Sequence, residues 1–254
     1  LVQTRLLVAS AYFEKSKAFD EKSKEWTATL EESTKQFKEI ADKYPTYGGG
    51  VLARFYEGRN TAALGKRDVA VMTLAPLAGL EDKSPLGIML RAKAITTSIE
   101  CWLAEKKYDS FDQKMRDFAL DERKLLRQLQ EPDRLALKFR AAEMLKAMSG
   151  TVPAKEAARG KAMLADAAKL AMDVAKVNRD FADEARALVQ SLGKDVLNAA
   201  DSGFEGIVTE AKLAMTTMQE KQAEAKKLQA EGKDATAAAA AAGTARDAAL
   251  VKFD

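Results

Sequence analysis

Few residues in this chain are equipped for chemistry, and their spacing narrows the choice further. There is no histidine among the 254 residues. A His-ligated metal or haem, a Ser-His-Asp set and a Cys-His pair are therefore excluded. The single cysteine, Cys101, can form neither an internal disulfide nor a thiolate zinc cluster. It stands beside Trp102 on an apolar stretch, where a small buried residue is expected. Carboxylates adjoin at Glu31-Glu32, Glu81-Asp82 and Asp121-Glu122. Neighbours on a helix point in different directions, so these pairs do not converge on one proton. Gly48-Gly49-Gly50 has the composition of a phosphate cradle. No Lys-Ser/Thr follows it and no strand precedes it, so a flexible turn after Pro45 is expected. No acid, base and nucleophile gather into a set, so no catalytic residue, cofactor or metal is assigned and a non-enzyme is expected.

The elements that carry these residues are helices. Lys+Arg number 41 and Asp+Glu 38, for a net charge of +3 with the signs interspersed. That balance is too even to suggest nucleic acid or a membrane surface as partner on charge alone, and it fits solvated helix faces. No run approaches 18 consecutive apolar residues, so no membrane span is expected. Ala, Leu, Lys, Glu, Gln, Met and Arg dominate, and all are strong helix formers. There is no Asn-Gly or Asp-Gly turn and no sustained alternation of apolar and polar residues. No Gly or Pro occurs between Leu1 and Tyr44, and the first break is expected at Tyr44-Pro45. Trp26, Leu30, Phe37, Ile40, Ala41 and Tyr44 recur at three- and four-residue steps. Leu135, Phe139, Ala142 and Leu145 do the same, as do Phe181, Ala185, Leu188 and Leu192.

The caps agree with this pattern. Ser84-Pro85 reads as an N-cap with Pro at the first helical position. Asp68 precedes the apolar run Val69 to Leu77. Thr151 precedes Pro153 at the start of an Ala-rich helix, and Asn178 or Asp180 can cap the helix ending at Gly193. The methionines, among them Met144, Met148, Met163, Met172, Met215 and Met218, are expected to fill core gaps.

About nine or ten helices result, with a helical hairpin about every 34 to 45 residues. Hairpins of fixed period bury their apolar faces on neighbouring hairpins, so the expected fold is all-α, with antiparallel helical hairpins stacked as an α-solenoid. Three segments are expected: helical repeats over 1–130, further hairpins over 131–198, and Ala-rich helices over 199–254. The last would form a long hairpin turning near Gly232 or a coiled coil with another chain. Its few large anchors are Phe204, Ile207, Val208, Leu213 and Leu228. Leu1 to Ser10 does not read as a signal peptide. Ala245 to Phe253 is still amphipathic, so the natural chain is expected to continue.

Three stretches resemble tetratricopeptide repeats. Phe37 to Pro45 is similar to the end of a repeat's second helix, and its Tyr-Pro form resembles bacterial envelope members. In Gly58 to Ala78, Gly58 stands where two helices cross closely. Leu64-Gly65-Lys66-Arg67-Asp68-Val69-Ala70 resembles the turn, and Leu74 and Leu77 continue the face. Leu103 to Phe111 again resembles the turn, followed by Met115 and Phe118. Arg54, Glu57 and Thr61 depart from the pattern, as does Phe111 where a small residue is usual. The resemblance implies a TPR-like solenoid that binds a protein or peptide along a concave face lined by the first helix of each hairpin. It places Phe55 and Arg59 on that face from one hairpin, and Lys93, Thr96 and Glu100 from the next. It also implies a bacterial cell envelope or periplasm as the setting. The alternative is a structural protein that self-associates through its Ala-rich helices.

Overall fold

The computed structural model describes residues 2–121, 125–177, 179–192, 204–231, 236 and 239–244, with side chains from 215 onward in the last long helix. The described residues form helices and no strand. The chain divides into two compact units, Leu1–Lys155 and Glu156–Asp254.

The first unit contains α1 (Val2–Ser16), α2 (Lys24–Lys43), α3 (Gly48–Ala63), α4 (Arg67–Ala78), α5 (Pro85–Glu105), α6 (Gln113–Leu120) and α7 (Glu131–Ser149). Helices α1 to α5 each pack on the next. The odd-numbered helices also touch one another, α1 with α3, α3 with α5 and α5 with α7. One core cluster shows why. Ala9 of α1, Phe37, Ile40 and Ala41 of α2 and Ala53 of α3 are buried together, with Val2, Leu6, Tyr44 and Tyr56 packed around them. The stripe read from the sequence is thus the face that α2 turns inward.

The turns follow from local chemistry. The first lies at residues 17–23, earlier than the expected break at Tyr44-Pro45. It contains no Gly or Pro. Instead Lys17, Ala18 and Phe19 fold back onto the carbonyls of Glu14, Lys15 and Ser16. Lys22 takes a left-handed φ of 69°, and the Ser23 hydroxyl accepts from the Trp26 amide at 3.1 Å to cap α2. Ser84 caps α5 as expected, accepting from the Gly87 amide at 3.1 Å. Thr151 behaves differently. Its hydroxyl donates back to the Met148 carbonyl at 2.8 Å and so closes α7. Asn178 and Gly193 lie outside the described residues.

Gly48-Gly49-Gly50 is helical, not a loose turn, and forms the first turn of α3. A Cβ on Gly50 would sit 1.7 Å from the Tyr44 carbonyl oxygen. The triplet therefore lets α3 start hard against the end of α2. Gly58 plays the same part between α3 and α4, where a Cβ would lie 2.5 Å from Leu74 Cγ.

In the second unit, α8 (Ala157–Ala175) packs on α9 (Ala182–Leu192). Met163, Ala167, Leu170, Ala171 and Val174 are buried on the first, and Ala182, Ala185, Val189 and Leu192 on the second. The long helix α10 (Phe204–Ala230) is tied to α9 by Arg186 and Glu220 at 2.7 Å. Arg186 also pairs with Asp183 at 2.7 Å. Leu228 packs against buried Ala225. Met144, Met148, Met163 and Met172 are core residues, whereas Met215 is 45% exposed. The turn near Gly232 and the segment 245–254 lie outside the described residues, and nothing is described of the side chains of Phe204, Ile207, Val208 and Leu213.

The close crossing of α3 and α4 gives a direct test. Gly58→Ala forces a methyl group into Leu74, which is completely buried, and overpacking of this kind costs about 1–3 kcal/mol. Both tryptophans, Trp26 and Trp102, lie in the first unit, so urea unfolding followed by tryptophan fluorescence reads it. Gly79→Ala, whose Cβ meets only a carbonyl oxygen at 3.6 Å, should leave that transition unmoved or slightly raised. Equal destabilisation by the two variants would contradict the packing described.

Candidate functional site

The five residues that the repeat resemblance places on a binding face lie on α3 and α5. The structure gives them different surroundings. Phe55 is only 5% exposed and is a core residue, its ring 5.4 Å from that of Tyr56. Burial of an aromatic ring is its own sufficient use, and Phe55 offers no side chain to solvent.

Lys93, Thr96 and Glu100 do share one side of α5, and that side turns toward α7. Lys93 Nζ donates to Asp133 at 2.6 Å, and Arg140 Nε donates to Glu100 at 3.0 Å. Arg140 also reaches Glu143 of its own helix at 2.7 Å. The Thr96 hydroxyl donates back to the Ala92 carbonyl at 2.8 Å. Two ion pairs therefore bridge α5 and α7. Partly exposed pairs of this kind stabilise by about 0–1 kcal/mol each, so they set register more than they add strength. The same stripe extends by three- and four-residue steps through half-buried Met89 to Leu86, which is 41% exposed. Leu86 lies 3.4 Å from where a Cβ on Gly48 would be. Tyr47, just before α3, is 68% exposed and meets the ring of Tyr44 edge-on at 6.4 Å.

Arg59 has the most distinctive environment. Its guanidinium carbon sits 4.0 Å from the centroid of the Phe13 ring and 4.7 Å from that of Tyr56. Tyr56 stacks in turn on Phe37 at 5.0 Å. The side chains thus alternate from α1 through α3 to α2. Arg59 Nη2 donates to Asn60 Oδ1 at 3.4 Å. Nε is buried with no hydrogen-bond partner. Burial holds the guanidinium below its ordinary pKa, with the charge on nearby Glu14 opposing that shift. Glu14 itself is taken by Lys17 at 2.8 Å. Among the described residues Arg59 forms no ion pair.

Asn60 links this group to the interior. Its Nδ2 donates to Ser33 Oγ at 3.0 Å, and Ser33 Oγ donates to the Ala9 carbonyl at 2.9 Å. Both side chains are fully buried. The sequence points to Arg59 but not to Phe13, Asn60, Asp133 or Arg140. Each of these also meets a partner on another helix through tertiary packing, and no local spacing signals that pairing.

The departures from the repeat pattern have a use of their own. Arg54 Nη2 reaches Asp42 at 2.7 Å and Nη1 reaches Glu57 at 2.9 Å. Lys38 also holds Asp42 at 2.7 Å, and the Thr61 hydroxyl donates to the Glu57 carbonyl at 2.7 Å. Hydrogen bonds from Lys38 and Arg54 hold Asp42 below the usual carboxylate range. Burial pushes Glu57 up despite Arg54. Cys101 is buried and its thiol is pushed up to about 11 by desolvation, so it is a packing residue with little thiolate. No group of three or more His, Cys, Asp or Glu side chains that could hold a metal is found among the described residues. No described helix is long and apolar enough to cross a membrane.

One other surface stands out. On α4, Val69 is 55% and Met72 75% exposed, with Thr73 and Pro76 on the same side. The opposite face buries Ala70, Leu74, Leu77 and Ala78.

Comparison with family models, with curated proteins and with solved structures finds no match to this chain. The site is therefore read from its own geometry.

The two carboxylates of the α2–α3 network should titrate in opposite senses. Unfolded Asp and Glu titrate near about 3.9 and 4.3. Asp42, lowered in the fold, adds stability above that range and loses it as pH falls. Glu57, raised in the fold, binds its proton more tightly when folded, so its contribution declines as pH rises. As pH rises above about 4.3, Glu57→Gln should therefore gain on the parent protein in urea unfolding. As pH rises toward about 3.9, Asp42→Asn should lose on it. Differences that stay constant with pH would refute the assignment.

Proposed function

We propose that the chain is a non-enzymatic scaffold that binds a protein or peptide. In this reading the first unit is a TPR-like α-solenoid, and the face built by α1, α3, α5 and α7 receives the partner. The observation that carries it is the contact pattern: α1 to α5 pack in order, α5 then packs on α7, and the odd-numbered helices α1, α3, α5 and α7 touch each other in order. That is how stacked helical hairpins arrange the first helix of each pair. Such stacking leaves a continuous face whose residues come from several helices, which suits an extended partner.

The chemistry of the face supports the same reading. It offers exposed Tyr47 and Leu86, half-buried Met89, the α5–α7 ion pairs and the stacked Arg59. Aromatic, Met and Arg side chains are the types enriched where proteins bind one another. Phe55 belongs to the core beneath this face. Lys93 and Glu100 act first in holding α5 to α7.

Site-specific photo-cross-linking tests the proposal. A benzoyl-phenylalanine at Leu86 or at Thr96 should trap one dominant partner in native lysate, and one at Met72 on α4 should not. The purified partner should bind at fixed stoichiometry, and Leu86→Asp should weaken it about tenfold, the loss expected for one good apolar contact, with the unfolding midpoint unchanged. Equal adducts at all three positions, or undiminished binding to the Leu86 variant, would overturn the reading.

A further inference from the structure

Arg59 is an unusual cation for a half-buried place on a helical unit. Guanidinium groups removed from water are normally paired with a carboxylate, because an uncompensated charge in a low-dielectric site is costly. Arg59 has two aromatic rings, at 4.0 and 4.7 Å, and one long bond to the Asn60 amide oxygen. No ion pair to it exists among the described residues. The nearby acid, Glu14, is held by Lys17. The rings and Asn60 fix the plane of the group. A fixed guanidinium with an unpaired charge is prepared to receive an anion at little cost in side-chain order.

Access decides which edge is used. Nε is shut off from solvent, while the residue as a whole is half-buried. The Nη edge is therefore the one that a ligand can reach. Arg91 is a useful contrast. It too stacks on a ring, Phe118 at 4.3 Å, and its Nε is also buried without a partner. It lies near two carboxylates, Glu81 and Asp112, which oppose the lowering of its pKa by burial. Arg59 has one, and that one is engaged.

We infer that Arg59 is an anchor for an acidic side chain of a protein partner, which supplies the missing carboxylate at the Nη edge. The inference rests on the binding face proposed above and names the chemistry of what binds there. Planar two-pronged donation matches a carboxylate, and a charge-assisted bond in a partly desolvated place is about twice as strong as a neutral one. Lys17 beside the same Phe13 ring, at 4.8 Å, adds positive potential. Glu14 opposes it.

The test uses the whole chain and poly-L-glutamate as the probe, with poly-L-lysine and polyphosphate as comparisons. The Nε–H of Arg59, shielded from solvent, should give a distinct side-chain resonance in a 1H–15N spectrum. Poly-glutamate should move it. Arg59→Met, which fills the space between the rings without charge, should lower poly-glutamate affinity about fivefold or more, as loss of one charge-assisted contact does. Glu14→Gln should raise affinity about two- to threefold by removing a like charge. Far-UV circular dichroism confirms that each variant is folded. An unmoved resonance at saturating poly-glutamate, or unchanged affinity in Arg59→Met, overturns the inference. A stronger response to polyphosphate than to poly-glutamate also overturns it, because the anion would then be a phosphate. If cross-linking at Leu86 traps a partner while Arg59 stays silent, the inference falls and the binding face stands. If Arg59 responds and no partner is trapped, the binding face falls alone.

Discussion

A buried polar relay fixes how the first three helices meet. Asn60 of α3 donates to Ser33 of α2, and Ser33 donates to the Ala9 carbonyl of α1. All three residues are fully buried. Apolar packing is non-directional and tolerates sliding by a turn. A buried hydrogen bond does not, because breaking it strands a desolvated donor or acceptor at about 1–3 kcal/mol. The relay therefore selects one register among many that the surrounding Ala, Ile and Phe side chains would accept. Arg59, next along α3, inherits its place from Asn60 and its setting from Phe13 and Tyr56. The candidate anchor thus depends on the same register as the core.

The other joints of the first unit use different means. Between α3 and α4 the device is the absence of a side chain, since Gly58 lets Leu74 approach. Between α2 and α3 the Arg54, Asp42, Glu57 and Lys38 network sits over the core, and the glycine triplet brings the end of one helix against the start of the next. Between α5 and α7 two ion pairs are added to apolar packing. The pairs are partly exposed, and they set the register of α5 on α7 more than they add strength. In the second unit, alanine-rich faces bury little area per residue, and buried Arg186 with Asp183 and Glu220 provides the specific link.

How much of this the sequence reveals depends on the range of each interaction. The helical class is legible because it is written in local composition and in stripes such as Leu30, Phe37, Ile40 and Ala41. The Ser84-Pro85 start is legible because a Ser before a Pro has few other uses there, whereas the close crossing at Gly58 is expected only through the resemblance to the repeat. The turn at residues 17–23 is not legible, because it is closed by backbone hydrogen bonds and by Lys22 in a left-handed conformation that lysine seldom adopts. The glycine triplet misleads, since its role is close approach to the Tyr44 carbonyl and not freedom of the chain. The candidate site is legible only as a side of α5 and a single arginine on α3. That Lys93 and Glu100 face α7, that Phe55 faces inward, and that Arg59 lies against Phe13 are consequences of tertiary packing that no local pattern encodes.

The packing of α1, α2 and α3 depends on the relay acting as one unit, and a double-mutant cycle measures that directly. Ser33→Ala, Asn60→Ala and the double variant are compared by urea unfolding followed through tryptophan fluorescence. If the two side chains are coupled, the double variant loses less than the sum of the single losses, by on the order of 1 kcal/mol or more. Strictly additive losses would mean that Ser33 and Asn60 act independently, and that the register of α1, α2 and α3 is set by something else.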